Sequence, residues 1–274
     1  MFPCRWLSVL LTLVVSLPCA AQEWQPLRPG LRWTYETSGV DTLTLAGVTQ
    51  TVHTEGTRKV LVGRPSAELP GSPYEIVETH AIRTLGESGT THRTIRAWAR
   101  ANKGEVLAYG EEFEDPFSGR ELVMIRYEPP LRTLPANPRV GQKWHVGVAQ
   151  ADGLRIRLDG EIVGIRDVKT PTGLHRGCLE VRYTGPVSGH FASPEGPLLI
   201  QNGSTTMTSF YAKGIGAVRE DEDFSMTMRM PNGMHIRGTS RAEYLLRSSN
   251  LLDAPARPEG DPHPGFRPRG RTGR

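Results

Sequence analysis

Leu154-Arg155-Ile156-Arg157-Leu158-Asp159-Gly160-Glu161-Ile162 decides the fold class of this chain. Leu154, Ile156, Leu158 and Ile162 share one parity, while Arg155, Arg157, Asp159 and Glu161 share the other. Successive side chains of a strand point to opposite faces, so this alternation predicts a strand buried on one side only. The pattern recurs on both sides. Leu31, Trp33 and Tyr35 alternate with Arg32, Thr34 and Glu36; Phe224, Met226, Met228 and Met230 alternate with Ser225, Thr227 and Arg229. Further strand-like runs span 40–46, 50–62, 73–84, 91–100, 105–110, 120–128, 143–150, 178–185, 205–212 and 234–246.

The links between these runs set the topology. Asp152-Gly153 and Asn232-Gly233 are residue pairs favoured in two-residue hairpin turns, where both central positions need positive φ. Asn102-Lys103-Gly104 and Pro171-Thr172-Gly173 read as slightly longer hairpins. Tight links pair sequence neighbours antiparallel, which gives a meander. No stretch carries an apolar stripe of helical period, and 30 Gly with 22 Pro oppose long helices. The expectation is an all-β fold, an antiparallel meander of about 10–13 strands forming a strongly curved sheet, half-barrel or sandwich. Tyr127–Gly141, with Pro129, Pro130, Pro135 and Pro138, reads as the longest proline-broken connection, joining two sheets or two subdomains. Gly214-Ile215-Gly216, lying inside a β pattern, reads as a bulge or sharp strand bend.

The two ends differ from this body. Arg5, the apolar run Trp6–Leu17 and the exit Pro18-Cys19-Ala20-Ala21 form the three parts of a secretory signal peptide. The apolar run is shorter than the roughly 20 residues that span a bilayer. Cleavage after Ala21 makes Gln22 the mature terminus, and residues 22–248 form the β domain. A rival reading makes Cys19 a lipid-bearing N-terminus, although Pro18 stands where that processing needs a small residue. No second apolar run follows, so no transmembrane segment is expected. From 249 to 274 the pattern dissolves into Pro, Gly and Arg, the composition of a disordered tail. Its closing Arg267, Arg269, Arg271 and Arg274 could touch anionic lipid headgroups.

The formal charge is +4, with 33 basic and 29 acidic residues. This near balance carries no nucleic-acid signature. The pI of about 9.1 reflects 28 Arg against 5 Lys, a ratio read as a high-GC coding bias. Cys4 and Cys19 belong to the signal, leaving Cys178 alone in a strand-like run, where it reads as a small buried hydrophobe.

The usual catalytic spacings are absent: there is no Gly-x-Ser-x-Gly elbow, His-Glu-x-x-His helix, phosphate loop or Cys-x-x-Cys pair. The eight His are scattered, and no spacing defines a metal site or cofactor. Glu111-Glu112-Phe113-Glu114-Asp115 and Glu220-Asp221-Glu222-Asp223 lack the ligand pattern of a calcium loop and read as solvated hairpin tips. Arg93, Arg96 and Arg100, with Thr94 and Trp98, read as the outer face of a sheet, with Ile95, Ala97 and Ala99 behind it.

Three stretches carry a resemblance. Trp24-Gln25-Pro26-Leu27-Arg28-Pro29-Gly30-Leu31-Arg32-Trp33-Thr34-Tyr35, Val140-Gly141-Gln142-Lys143-Trp144 and Tyr211-Ala212-Lys213-Gly214-Ile215-Gly216-Ala217-Val218-Arg219 occur in the order seen in uncharacterised secreted β-rich envelope proteins of high-GC Gram-negative bacteria, especially myxobacteria. The chain resembles that group, which implies an exported envelope protein, periplasmic or extracellular, and supplies no catalytic residue. The leading functional expectation is a non-enzymatic carrier or scaffold for a lipid or other amphipathic ligand, with Trp98, Tyr109, Trp144 and Phe210 as candidate lining residues. The alternative is a structural or interaction module whose sheet packs wholly on itself; an enzyme stands third. A pocket lined by those four aromatics favours the carrier, and a filled core favours the module. Trp33, Tyr35, Trp144 and Tyr211 are expected to anchor the core.

Overall fold

The computed structural model describes residues 24–102, 105–114, 122–151, 153–191 and 196–252. The signal at 1–21 and the tail from 253 lie outside the described residues. Twelve strands run through the described chain: β1 (Arg32–Leu45), β2 (Val48–Pro65), β3 (Tyr74–Thr84), β4 (Thr91–Asn102), β5 (Glu105–Glu114), β6 (Leu122–Leu134), β7 (Lys143–Ala151), β8 (Leu154–Thr170), β9 (Gly173–Phe191), β10 (Leu198–Ala212), β11 (Gly216–Arg229) and β12 (His235–Ser249). All pairings are antiparallel. The fold is all-β, as the alternation implies.

One sheet holds every strand, in the order β6-β5-β4-β3-β2-β1-β12-β11-β10-β9-β8-β7. Each strand pairs with its sequence neighbour, and β1 pairs with β12 along its length, from Trp33↔Ser249 to Leu45↔Ile236. The sheet thus bends into a nearly closed barrel whose one unladdered seam lies between β6 and β7. Proline explains the seam. Pro129 and Pro130 fall within β6, where a missing N–H is tolerated only at a sheet edge. The expected proline-broken connection therefore shrinks to residues 135–142, because Tyr127–Leu134 is strand. Across the seam the two edges meet through the Trp144 indole N–H, which donates to the Arg132 carbonyl at 2.8 Å, and the Tyr183 hydroxyl of β9 reaches the Thr133 carbonyl of β6 at 2.8 Å. Gly160, facing Trp144 across β7–β8, is needed there, since a Cβ would run into the indole ring.

Two hairpin assignments exchange. Pro171-Thr172 is the whole link between β8 and β9, whereas Asn232-Gly233 sits in a longer β11–β12 link. There Met230 N–H donates to Met234 O at 2.8 Å and Gly233 N–H to Met230 O at 2.9 Å, so the ladder is replaced by a turn. Gly214-Ile215-Gly216 lies at the β10–β11 turn, with positive φ at Gly214 and Gly216 and a register shift at Phe210/Tyr211 beside it. Ser249 is buried at the end of β12, and Asn250 ties the two chain ends together: its Oδ1 accepts from Arg32 N–H at 2.9 Å and its Nδ2 donates to Gly30 O at 3.0 Å. Asn250, just past β12, is thus fastened to the start of β1.

Trp33, Tyr35, Trp144 and Tyr211 all belong to one core cluster, as expected of anchors. Their polar tips end on backbone or on one another. Trp33 Nε1 donates to Ile215 O at 2.6 Å, Tyr35 OH to Ala217 O at 3.0 Å, and the Tyr183 and Tyr211 hydroxyls lie 3.5 Å apart. Such satisfaction lets large aromatics fill an interior without stranding a donor. Cys178 is fully buried in the same core, its Sγ 3.4 Å from His175 O, and burial pushes its thiol up to about 11. A thiol so held carries little thiolate. Among the described residues, no helix is long and apolar enough to cross a membrane.

Candidate functional site: a buried charge cluster

The acidic runs are the largest departure from expectation. Glu220-Asp221-Glu222-Asp223 is mid-strand in β11, not a hairpin tip, and Glu111 is mid-strand in β5. Strand parity divides the runs. Glu220 and Glu222 share the inward face with Val218, Phe224 and Met226, while Asp221 and Asp223 face out to Arg219 and Arg241. Glu111 is fully buried beside inward Phe113, and Glu112 faces out to Arg96 at 2.9 Å. The inward acids persist because other strands bring cations to meet them.

Arg58 on β2 is the hub. Its guanidinium reaches Glu78 of β3 at 3.0 Å and Glu220 of β11 at 2.5 Å, with all three side chains almost wholly buried. It lies over the rings of Tyr35 at 5.1 Å and Tyr244 at 5.0 Å. Aromatic faces attract a cation more strongly once water is excluded. Around this hub, His80 Nε2 stands 3.5 Å from Glu78, Tyr244 OH donates to Glu222 at 3.3 Å, and Ser209 OH to Glu220 at 3.4 Å. Tyr127 OH donates to Glu111 at 2.7 Å. Arg93 comes from the inward side of β4 with Ile95 and Ala97, and so leaves the outer-face set predicted for Arg96 and Arg100.

Burial governs the protonation of these groups. Desolvation pulls at Arg58, but Glu220 and Glu78 overcome it and hold the guanidinium firmly charged. Burial, reinforced by nearby Glu220, pushes Glu222 up to about 8; burial also carries Glu111 well above the usual carboxylate range. Glu222 therefore stays largely protonated at pH 7. Burial lowers His80, against the pull of Glu78, and holds it neutral as well. Protonation of Glu222, and the same upward tendency at Glu111, relieves the charge that several buried carboxylates would otherwise build up around two arginines. Among the described residues, both Glu78 carboxylate oxygens, Glu111 Oε2, Arg58 Nε and His80 Nε2 lack a hydrogen bond of good geometry.

The arrangement is chemically quiet. Arg58 is held by two carboxylates and two rings, and His80 is neutral and shielded. Among the described residues, no group of three or more His, Cys, Asp or Glu is placed to hold a metal.

The four candidate lining residues lie at three places along the sheet. Trp98 and Tyr109 are near neighbours on β4 and β5, and Trp98 is buried yet stands apart from the core cluster. Trp144 lies at the β6–β7 seam, edge-on to Tyr183 with ring centroids 6.2 Å apart. Phe210 is on β10, beneath the Arg219 guanidinium at 5.7 Å. The sheet order separates these three locations. Outside, a shallow trough of about 560 Å³ is lined by Glu36, Ser38, Glu55, Arg83, Glu243 and Arg247. Its charges are already paired: Arg83 with Glu55, Arg247 with Glu36 at 3.6 Å, and Glu243 with Arg219 at 2.9 Å.

No known protein family matches the chain, and no curated protein matches it significantly. Among solved structures it is similar to a candidate lipoprotein of Parabacteroides distasonis, at 15% identity and a TM-score of 0.36, covering 85% of this chain and 100% of that one. It is also similar to a candidate exported protein of Bacteroides fragilis with a YmcC-like fold, at 14% identity and a TM-score of 0.33, covering 83% and 98%. A third is DynF of the dynemicin biosynthesis pathway of Micromonospora chersina, at 11% identity and a TM-score of 0.26, covering 84% and 85%.

Proposed function

We propose that this is an exported, non-enzymatic protein of the bacterial envelope that serves as a structural or interaction module, its sheet packed on its own contents. The filled interior carries this reading. Large aromatics, an apolar core and a mutually neutralised charge cluster occupy the inside, and β8 comes within 8 Å (Cα–Cα) of β11 and β12 across it. Export rests on the tripartite N-terminus, and the envelope on the resemblance to secreted β-rich proteins. The carrier reading keeps one supporting observation: Met207, Met226, Met228 and Met230 are all buried on one side of the interior. Methionine repacks easily and recurs at adaptable binding surfaces.

Native mass spectrometry of protein purified from its source distinguishes the two roles. The expected result is a chain beginning at Gln22 with no small molecule bound. A stoichiometric apolar ligand overturns the module in favour of the carrier, and a diacylated species beginning at Cys19 replaces simple export with a lipid anchor.

A further inference from the structure

We infer that the open edge of β6 pairs with the same edge of a second copy, forming a two-fold antiparallel dimer. The seam contacts between β6 and β7 include Gly147 against Leu131 and Trp144 with the Arg132 carbonyl, and Tyr183 of β9 reaches the Thr133 carbonyl beside them. Gly147 packs on Leu131, and β7 ends at Ala151. Strands rise about 3.3 Å per residue, so β7 gives out near the level of Tyr127. Leu122–Arg126 runs beyond it and, among the described residues, is paired on one side only, to β5, as Glu114↔Leu122 through Gly110↔Arg126. An unpaired edge of this kind is a template for another strand unless charge, proline or a covering segment blocks it. Pro129 and Pro130 guard the seam half of β6. The free half has no proline and presents Leu122, 60% exposed, and Met124, 43% exposed.

The sequence of that half fits itself. Antiparallel self-pairing about Met124 sets Met124 against Met124, Val123 against Ile125 and Leu122 against Arg126. Val123 and Ile125 face the interior with the core cluster, so pairing extends one apolar floor across both copies. On the outer face, Arg126 has no ion-pair partner among the described residues. In the dimer it enters the row of Leu122 and Glu114 of the other copy, two strand spacings or roughly 10 Å from Glu114, within reach of two long side chains. The two-fold symmetry makes each such contact twice. This inference rests on the edge alone and holds whether or not the interior takes a ligand.

Sedimentation equilibrium of residues 22–274, over a concentration series reaching the high micromolar range, is expected to show a dimer. Met124→Lys places two like charges opposite each other and should give a monomer with an unchanged circular dichroism spectrum. Arg126→Glu should weaken the dimer, and adding Glu114→Arg should restore it. Register is read by cysteine: Met124→Cys should form a disulfide-linked dimer under mild oxidation, whereas Leu122→Cys should not. A wild type that stays monomeric throughout overturns the inference and leaves the edge for a different chain. A Met124→Lys variant that still dimerises overturns it equally.

Discussion

The wall formed by β7–β9 and the wall formed by β1–β3 with β11 and β12 enclose the same interior in opposite ways. The first presents Trp144, Val146, Ile156, Leu158, Ile162, Leu179, Val181 and Tyr183, apolar but for hydroxyl and indole tips that are satisfied. The second presents Arg58, Glu78, His80, Glu220 and Glu222 between its apolar residues. Both are equally dry. The difference lies in what happens when one group is removed. An apolar wall loses contact area in proportion to the atoms deleted. A charged wall loses a counter-ion, and the group left behind has no water to turn to.

Arg58→Met breaks the comparison most sharply. Glu78 and Glu220 would remain buried without their cation, and removing one partner of a buried ion pair costs about 3–5 kcal/mol. Urea unfolding of residues 22–274 should show that loss, or no folded protein at all. The triple change Arg58→Met, Glu78→Leu, Glu220→Met removes the charges together and should match or exceed the wild type, by about 1–4 kcal/mol at most. A triple variant as unstable as Arg58→Met alone would mean that the cluster holds the fold by more than charge balance.

The opposite wall should answer differently. Leu179→Ala deletes a fully buried side chain of β9 and is expected to cost about 2–5 kcal/mol, the range for such truncations in a packed core. Xenon or a small hydrocarbon should recover part of the loss by filling the hole, since apolar cavities stay dry and take apolar guests. Neither should rescue Arg58→Met.

How far these walls could be read from sequence follows the same division. Alternation reports which residues share a face, and it located the strands because Leu154, Ile156 and Leu158 differ so plainly from Arg155 and Arg157. It also held the answer for the cluster. Arg58 has the parity of Val60 and Val62, Glu78 that of Ile76, and Glu220 and Glu222 that of Val218 and Phe224. Within Glu220–Asp223, however, every residue is acidic, so polarity does not alternate and the inward pair is invisible unless parity is carried in from the flanks. The partner of each acid is more remote. Arg58 and Glu220 meet only because β1 pairs with β12, a contact closed by no local turn and marked by no motif. Trp98, Tyr109, Trp144 and Phe210 were grouped by their chemistry as aromatics, and sheet order places them on separate strands.

Protonation offers a finer cut between the walls. The native state keeps a proton on Glu222 up to about pH 8, whereas an unfolded carboxyl releases it near 4.5. The folded chain thus holds more protons across that window, and stability falls as pH rises through it. Glu111, raised for the same reason, acts in the same direction. His80 opposes them below its ordinary 6.5, where the unfolded chain binds a proton that the native state refuses. The melting temperature should therefore fall from pH 6.5 toward pH 8, and Glu222→Gln should flatten that fall, the two proteins sharing one slope only below about pH 4.5. An identical slope in both proteins would place the ionisation elsewhere.

Ile162→Val supplies the smallest effect and the control for all the others. Ile162 is fully buried on β8, and its methylene should be worth about 0.5–1.5 kcal/mol. Nothing titratable pairs with it, so the cost should be the same at pH 6.5 and near pH 8. Mutations at distant, independent sites add, whereas sites sharing a network do not. Ile162→Val combined with Glu222→Gln should accordingly give the sum of the two single effects at each pH. A cost that grows as Glu222 ionises would mean that the charged wall shifts against β8, and that the two halves of the interior respond to pH as one body.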